Sequence, residues 1–305
     1  MSFRKVGWVY EHANFNLKDP NTRIKNIIHT NMQSIGWASE MLPKSIKEFE
    51  HNAIIFCSLD EITLRMINYC KSKGIVTIFH HMENIFGLPL QDQVFKSVDA
   101  IFCSSANLAY TTETNHGFGK CYHIDDPADD YFYQWNSFNK NTDLTAVYSG
   151  GSSYLAEMYR PHVEKAGWKY EVLTYPNDGR DYFRETDDYG GNPYWWVEKY
   201  RKAHVSICAH DFVQGINKSA IKVVTAWANG VVPVAAPIPS YRSLIEHNIN
   251  GYLYHSFEDV TRVLTYLSDR DKLYLTLNRL GLQAGRYKPH AVAVRWMSLI
   301  DYLCA

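Results

Sequence analysis

Short apolar runs alternate along the first half of the chain with segments whose apolar residues recur every third or fourth position. Lys5–Tyr10 (KVGWVY) reads as an opening strand, and Thr22–Gly36 places Ile24, Ile27, Ile28, Met32 and Ile35 on one helical face. The pattern continues with a strand at Ala53–Ser58, a helix over Glu61–Ser72 stopped by Gly74, and a strand at Ile75–His81. A helix near Gln91–Ser97, a strand at Asp99–Ser105, a helix over Ala106–Asn115 stopped before Gly117 and a strand at Lys120–Ile124 complete it. Apolar strands repeatedly joined by helices predict a parallel sheet covered on both faces.

Gln134–Asp143 (QWNSFNKNTD) is polar and unpatterned, the best linker in the chain, and a second α/β unit follows it. Leu144–Ser153 reads as a strand and a glycine turn that leads into a helix, and Trp168–Tyr175 as the next strand. The segment 176–195 is too polar for an element and reads as a long loop, a lid or part of a cleft. Glu198–Ala203 reads as helix and His204–His210 as strand. A helix is expected from Lys218 to Asn229, with Asn217 as N-cap and Gly230 as its stop, and a buried strand after it. Tyr241–His247, Val260–Leu267 and Ala291–Cys304 read as helices. The expected fold class is α/β, with two Rossmann-like domains facing across a cleft, where ligands of such folds bind. The expected boundaries are 1–135, 144–288 and a terminal helix at 289–305.

Composition narrows the function. Lys and Arg total 31 against 32 for Asp and Glu, a net charge of −1, so bulk charge makes no case for nonspecific nucleic-acid binding. The six cysteines are scattered, with no CxxC pair, and read as reduced thiols of a cytoplasmic protein. No apolar run is long enough to span a membrane, and the first residues lack the pattern of a secretory signal.

The densest chemistry lies between Asn217 and Gly251. Lys218 and Lys222, four apart, would share a face at the start of the expected helix, where cations oppose the macrodipole at a cost of up to ~1 kcal/mol. An anion bound there reverses that sign. Ser149, Gly150 and Gly151 follow a strand and lead into a helix, so backbone N–H groups can approach a phosphate; taken alone, a tight β–α turn is the commoner reason for such glycines. His210 and Asp211 end the strand before the lysines and stand near the same ligand, while Asp211 could equally cap a loop. His80 and His81 end another strand at its carboxyl edge. Adjacent residues point to opposite faces, so one of the two is functional at most, and His81 lies closer to the loop. Glu11 and His12 follow the first strand and read as acceptor-side residues or a solvated loop. The acidic run Asp125, Asp126, Asp129 and Asp130 has no metal-ligand spacing and reads as a turn around Pro127.

These stretches resemble the GT-B glycosyltransferases, and among them the large family-4-like group. In the first half the resemblance rests on VDAIFCSSANLA and the later YHIDDPADDYF. In the second it rests on KVVTAWANGVVPVAAPIPSYRSLIEHNINGYLY, similar to a helix ending A-x-A-x-G-x-P-V-x-A followed by E-x-I-x-x-x-x-N-G-x-L. The closing PHAVAVRWMSLIDYL resembles that group's terminal helix, which packs back on the first domain. The group's Glu–x7–Glu pair, whose second carboxylate holds the nucleotide ribose, is replaced by Asn217 and Thr225. A threonine there offers one neutral hydrogen bond, a loss on the order of 1–2 kcal/mol. The group's basic pair after the first strand of the second domain is also absent, with Lys218 and Lys222 as its replacement.

The resemblance implies a transferase that moves a sugar from a nucleoside diphosphate sugar, such as a UDP-sugar, to an acceptor hydroxyl, with no bound metal or other cofactor. Gly150, Gly151, His210, Asn217, Lys218, Lys222 and Thr225 would meet the donor, and His81 and Asp211 would orient the sugar or acceptor. The acceptor is open among a glycan, a lipid-linked sugar, a protein, a small molecule and a modified nucleic-acid base. A non-catalytic nucleotide- or glycan-binding protein and a sugar-nucleotide epimerase share the same architecture and remain as alternatives.

Overall fold

The computed structural model describes residues 4–10, 20–44, 48–82, 90–117, 119–128, 143–150, 152–174, 195–210 and 215–305. Its contacts divide the chain into two compact units. One comprises Met1–Pro127, Ile216–Ser219 and Pro289–Ala305, the other Ala128–Gly215 and Ala220–Lys288. The expected linker at 134–143 and the expected loop at 176–195 lie outside the described residues except for the last residue of each.

In the first unit the elements run β1 (Lys5–Tyr10), α1 (Pro20–Ser34), β2 (Ala38–Pro43), β3 (Ala53–Phe56), α2 (Glu61–Ser72), β4 (Val76–His81), α3 (Gln91–Ser97), β5 (Ala100–Cys103), α4 (Ala106–His116) and β6 (Cys121–His123). All pairings are parallel, in the order β2-β1-β3-β4-β5-β6. β3 and β5 are buried along their whole lengths, as strands covered on both faces must be. α2 begins where Asp60 accepts a hydrogen bond from the Thr63 N–H, and Gly74 follows its end at φ +69°. β2 has no counterpart in the sequence reading. It is a half-polar edge strand ending in proline, a residue that edges tolerate. Its Ser39 is buried, and the Ser39 hydroxyl accepts the Trp8 indole N–H at 3.0 Å and pairs with the His29 ring at 2.8 Å.

The second unit runs β7 (Thr145–Gly150), α5 (Ser153–Lys165), β8 (Lys169–Thr174), α6 (Trp195–Lys202), β9 (Val205–Cys208), α7 (Ile221–Ala228), β10 (Val232–Ala235), α8 (Pro239–Arg242), β11 (Tyr252–Leu253), α9 (Phe257–Leu267) and α10 (Arg270–Arg286). Its five parallel strands lie in the order β11-β10-β9-β7-β8. The core between sheet and helices holds Tyr148, Tyr159, Trp227, Val234, Tyr241, Leu264 and Leu277. Edge strand β11 lies close to β10, and a Cβ on Gly251 would stand 2.8 Å from Pro233 Cγ, so the approach needs glycine.

The last helix, α11 (Pro289–Leu303), belongs to the first unit, where Trp296 packs on Trp8, His80 and Phe102 at ring distances of 5.3, 4.8 and 4.8 Å. Three readings of the sequence are corrected. The helix expected at Tyr241–His247 is the short α8, ahead of it and starting at a proline. α10 was not foreseen. The lysine helix starts at Ile221 rather than Lys218, with Ala220 in the cap position and no side-chain cap. Asn217 cannot cap it, because its Oδ1 accepts hydrogen bonds from Asn107 Nδ2 at 2.6 Å and Thr111 Oγ1 at 3.3 Å, and its carbonyl one from Ser105 Oγ at 3.2 Å. The C-terminal end is as expected. Gly230 has φ +65°, its N–H reaches Trp227 O, and the Val231 N–H reaches Ala226 O at 2.9 Å.

Candidate functional site

In an open parallel sheet, ligands collect outside the carboxyl ends of the strands where the strand order reverses. In the second unit that point lies between β7 and β9, from which the chain proceeds outward in opposite directions. β7 ends at Gly150 and β9 at Cys208, followed by Ala209 and His210. Lys222, the second residue of α7, points back to this edge, and its Nζ donates to the Ala209 carbonyl at 2.9 Å. The ammonium also lies 5.4 Å from the centre of the Tyr148 ring, within cation–π reach.

Gly150 completes the arrangement. A Cβ there would stand 2.9 Å from the Tyr148 hydroxyl and 3.0 Å from Lys222 Nζ, so any side chain would displace one of them. The Tyr148 hydroxyl takes a hydrogen bond from the Ser152 N–H, and burial pushes its pKa up to about 12, so it is neutral. Ser152 caps α5 by accepting the Leu155 N–H at 3.1 Å. An ammonium aimed at a glycine turn beside a helix N-terminus is an arrangement suited to the oxygens of a phosphate.

His210 is half-buried, 5.7 Å from the ring of Tyr241. Tyr241 is fully buried, its hydroxyl has no hydrogen-bond partner among the described residues, and burial raises its pKa well above the ordinary tyrosine value. Gly215 lies against His210, where a Cβ would come within 2.9 Å of the histidine Cβ and of Ile238 Cγ2. Thr225 is buried one turn after Lys222 on the same helix.

Of the residues singled out in the sequence, Gly150, His210, Lys222 and Thr225 therefore belong to the second unit, with the first three at the ends of β7 and β9 or reaching them. Asn217 and the half-buried Lys218 fall in the first unit and precede α7, so the two lysines do not share a helix face. His81 ends β4 fully buried, with its ring 5.2 Å from Phe95 and 6.3 Å from Phe79. Glu11, His12, Gly151 and Asp211 lie outside the described residues.

Sequence reasoning missed Tyr148, whose only signal was an aromatic two residues before the glycines of a strand end. It also missed Asp126. Read as part of a solvated turn, Asp126 is buried against Ser219, and burial pushes its pKa up to about 7, against the lowering effect of the Ser219 hydrogen bond. Its half-buried neighbour Asp125 pairs with the His123 ring at 3.0 Å and with Arg295 at 3.8 Å. Among the described residues no group of three His, Cys, Asp or Glu side chains could hold a metal ion. None of their helices is long and apolar enough to cross a membrane.

No protein-family model and no curated protein matches the sequence. Solved structures do match the fold. A glycosyltransferase from Rickettsia africae superposes with a TM-score of 0.73 over 99% of this chain and 99% of its own, at 8% identity. The catalytic domain of Arabidopsis thaliana starch synthase IV, bound to ADP and acarbose, does so with a TM-score of 0.66 over 99% of this chain and 100% of its own, at 10% identity. Anabaena HepE in complex with UDP and glucose gives 0.60 over 98% and 100%, at 9% identity. The chain has the GT-B glycosyltransferase fold.

Proposed function

We propose that the protein is a glycosyltransferase that moves a sugar from a nucleoside diphosphate sugar to an acceptor hydroxyl. The observation that carries this reading is Lys222, held by the Ala209 carbonyl over Gly150 at the point of strand reversal. In such a transfer the bond between the sugar's anomeric carbon and the diphosphate breaks, and negative charge grows on the departing phosphate oxygen. A cation placed there beforehand favours the transition state. Similar folds with UDP and glucose, or with ADP, bound support a diphosphate ligand.

In this reading Gly150 and Gly151 let the turn approach the diphosphate, Thr225 meets the ribose, and Lys218 and His210 lie on the donor side. Asp211 orients the sugar or acceptor, with Glu11 and His12 on the acceptor side, while the fully buried His81 has no exposed atom to offer either. The test is a panel of UDP-, GDP-, ADP- and TDP-sugars, scored by thermal shift and then by slow donor hydrolysis, repeated with Lys222→Ala. The expected loss in nucleotide affinity on removing the ammonium is ~2 kcal/mol, about thirtyfold. Unchanged affinity and turnover in the variant would sink the assignment.

One observation favours a second reading, a non-catalytic binder of the same fold. Asn217, at the position of the group's first glutamate, is neutral and already held by Asn107 and Thr111. A donor that is bound and never consumed in the presence of candidate acceptors identifies that case.

A further inference from the structure

α10 carries on its outer face a pattern unrelated to the site just described. Its inner face, Leu273, Thr276, Leu277, Leu280 and Ala284, is buried. On the opposite side Leu275 and Leu282 are 52% and 84% exposed, the second among the most exposed large apolar residues of the protein. Beside them run Lys272, Arg279 and Arg286, all exposed. Both sets repeat every seven residues, close to two helical turns, so each forms a stripe along the helix axis, one apolar and one cationic.

Along the chain the charge becomes one-sided after the helix start. Asp269 and Asp271 mark the start of the helix, where Asp269 pairs with Lys272 at 3.2 Å. From Lys272 to Ile300 the sequence then has no Asp or Glu, in a chain whose net charge is −1. Half-exposed Tyr266, on α9, flanks the cationic stripe with its ring centre 4.6 Å from Lys272 Nζ, and Arg279 reaches the Asn248 carbonyl at 3.4 Å.

We propose that this face docks on the surface of an anionic phospholipid bilayer. The leucines then enter the boundary between headgroups and acyl chains, while the cations remain among the phosphates on their long stems. Each stripe excludes a rival. A second copy packed antiparallel would bring like-charged stripes together, and a nucleic acid would leave two leucines with nothing apolar to meet. The inference does not depend on the proposed transfer reaction.

The test is co-sedimentation of the full chain with phosphatidylcholine vesicles made with and without phosphatidylglycerol. Binding is expected only with the anionic lipid, and it should disappear as salt rises from ~0.1 to ~1 M. The double variants Leu275→Ser/Leu282→Ser and Arg279→Gln/Arg286→Gln should each weaken it by roughly tenfold or more. All four side chains are exposed, so both variants should melt with the wild type. Three results would overturn the proposal: no binding at low salt, equal binding to neutral vesicles, or unchanged binding by the variants. A dimer seen by light scattering that the leucine variant abolishes would assign the face to a second copy and overturn it as well.

Discussion

The two units repeat one strand order, outward from a reversal beside the first strand of each, yet strand ends in them have opposite chemistry. At the end of β4 in the first unit, His80 and His81 are buried among rings, one against Trp296 and the other against Phe95. At the ends of β7 and β9 in the second unit, a lysine crosses over a glycine to a backbone carbonyl. Carboxyl ends of strands in one kind of sheet are thus not chemically alike, and the residues placed there decide whether an end is packed among aromatics, as at β4, or carries a cation, as at β7 and β9.

The sharpest test of this contrast removes the aromatic packing. Trp296→Ala, at a site 1% exposed, should cost about 3–5 kcal/mol of stability in urea unfolding. UDP affinity, measured by calorimetry under conditions where the variant is folded, should stay within about twofold. A large loss of affinity would mean that the two regions are not separable.

A smaller effect is expected from the buried carboxyl of the first unit. Asp126 titrates near 7 in the folded protein and near 4 when unfolded, so the native state holds the proton more tightly. Its contribution to stability is therefore present below about pH 4 and is lost as pH rises through about 7. Asp126→Asn should flatten that decline by a few kcal/mol at most, as read from urea midpoints between about pH 4 and 8. If wild type and variant run parallel across the window, Asp126 is not the group responsible.

The smallest change is expected at the glycine of the second unit. Gly150→Ala forces either Tyr148 or Lys222 aside, and UDP affinity should fall roughly tenfold, about 1.4 kcal/mol. Calorimetric titration checks it. An unchanged affinity would show that the lysine's place over the turn is not what the ligand reads.

Most of the fold was legible because local signals agreed with one another. α2 lies where Asp60, an apolar helical face and Gly74 all predict it, and the parallel strands announce themselves as continuous apolar runs. α10 was hidden for a local reason. Leu273, Leu275 and Leu277 alternate like a strand, and Gly281 and Gly285 resemble stops, while the helix is stabilised by its buried face. The start of α7 was hidden for a distant one. Asn217 is a good N-cap by type, but Asn107 and Thr111, more than a hundred positions earlier in the chain, take its side chain. In the site, Lys222 and Gly150 could be read from spacing. Tyr148 and the Ala209 carbonyl could not, because their importance lies in which atoms the lysine meets after folding.

The tryptophan pair beneath α11 has an optical consequence. Two indoles 5.3 Å apart at 37° are close enough for their strong far-ultraviolet transitions to couple, so a circular dichroism couplet that neither has alone is expected. Both partners belong to the first unit, Trp8 from its first strand and Trp296 from the last helix of the chain, whereas Trp168 and Trp227 lie in the second. The protein thus carries its own chromophore for the moment its two ends come together, separable in a refolding experiment from the signal of the second unit.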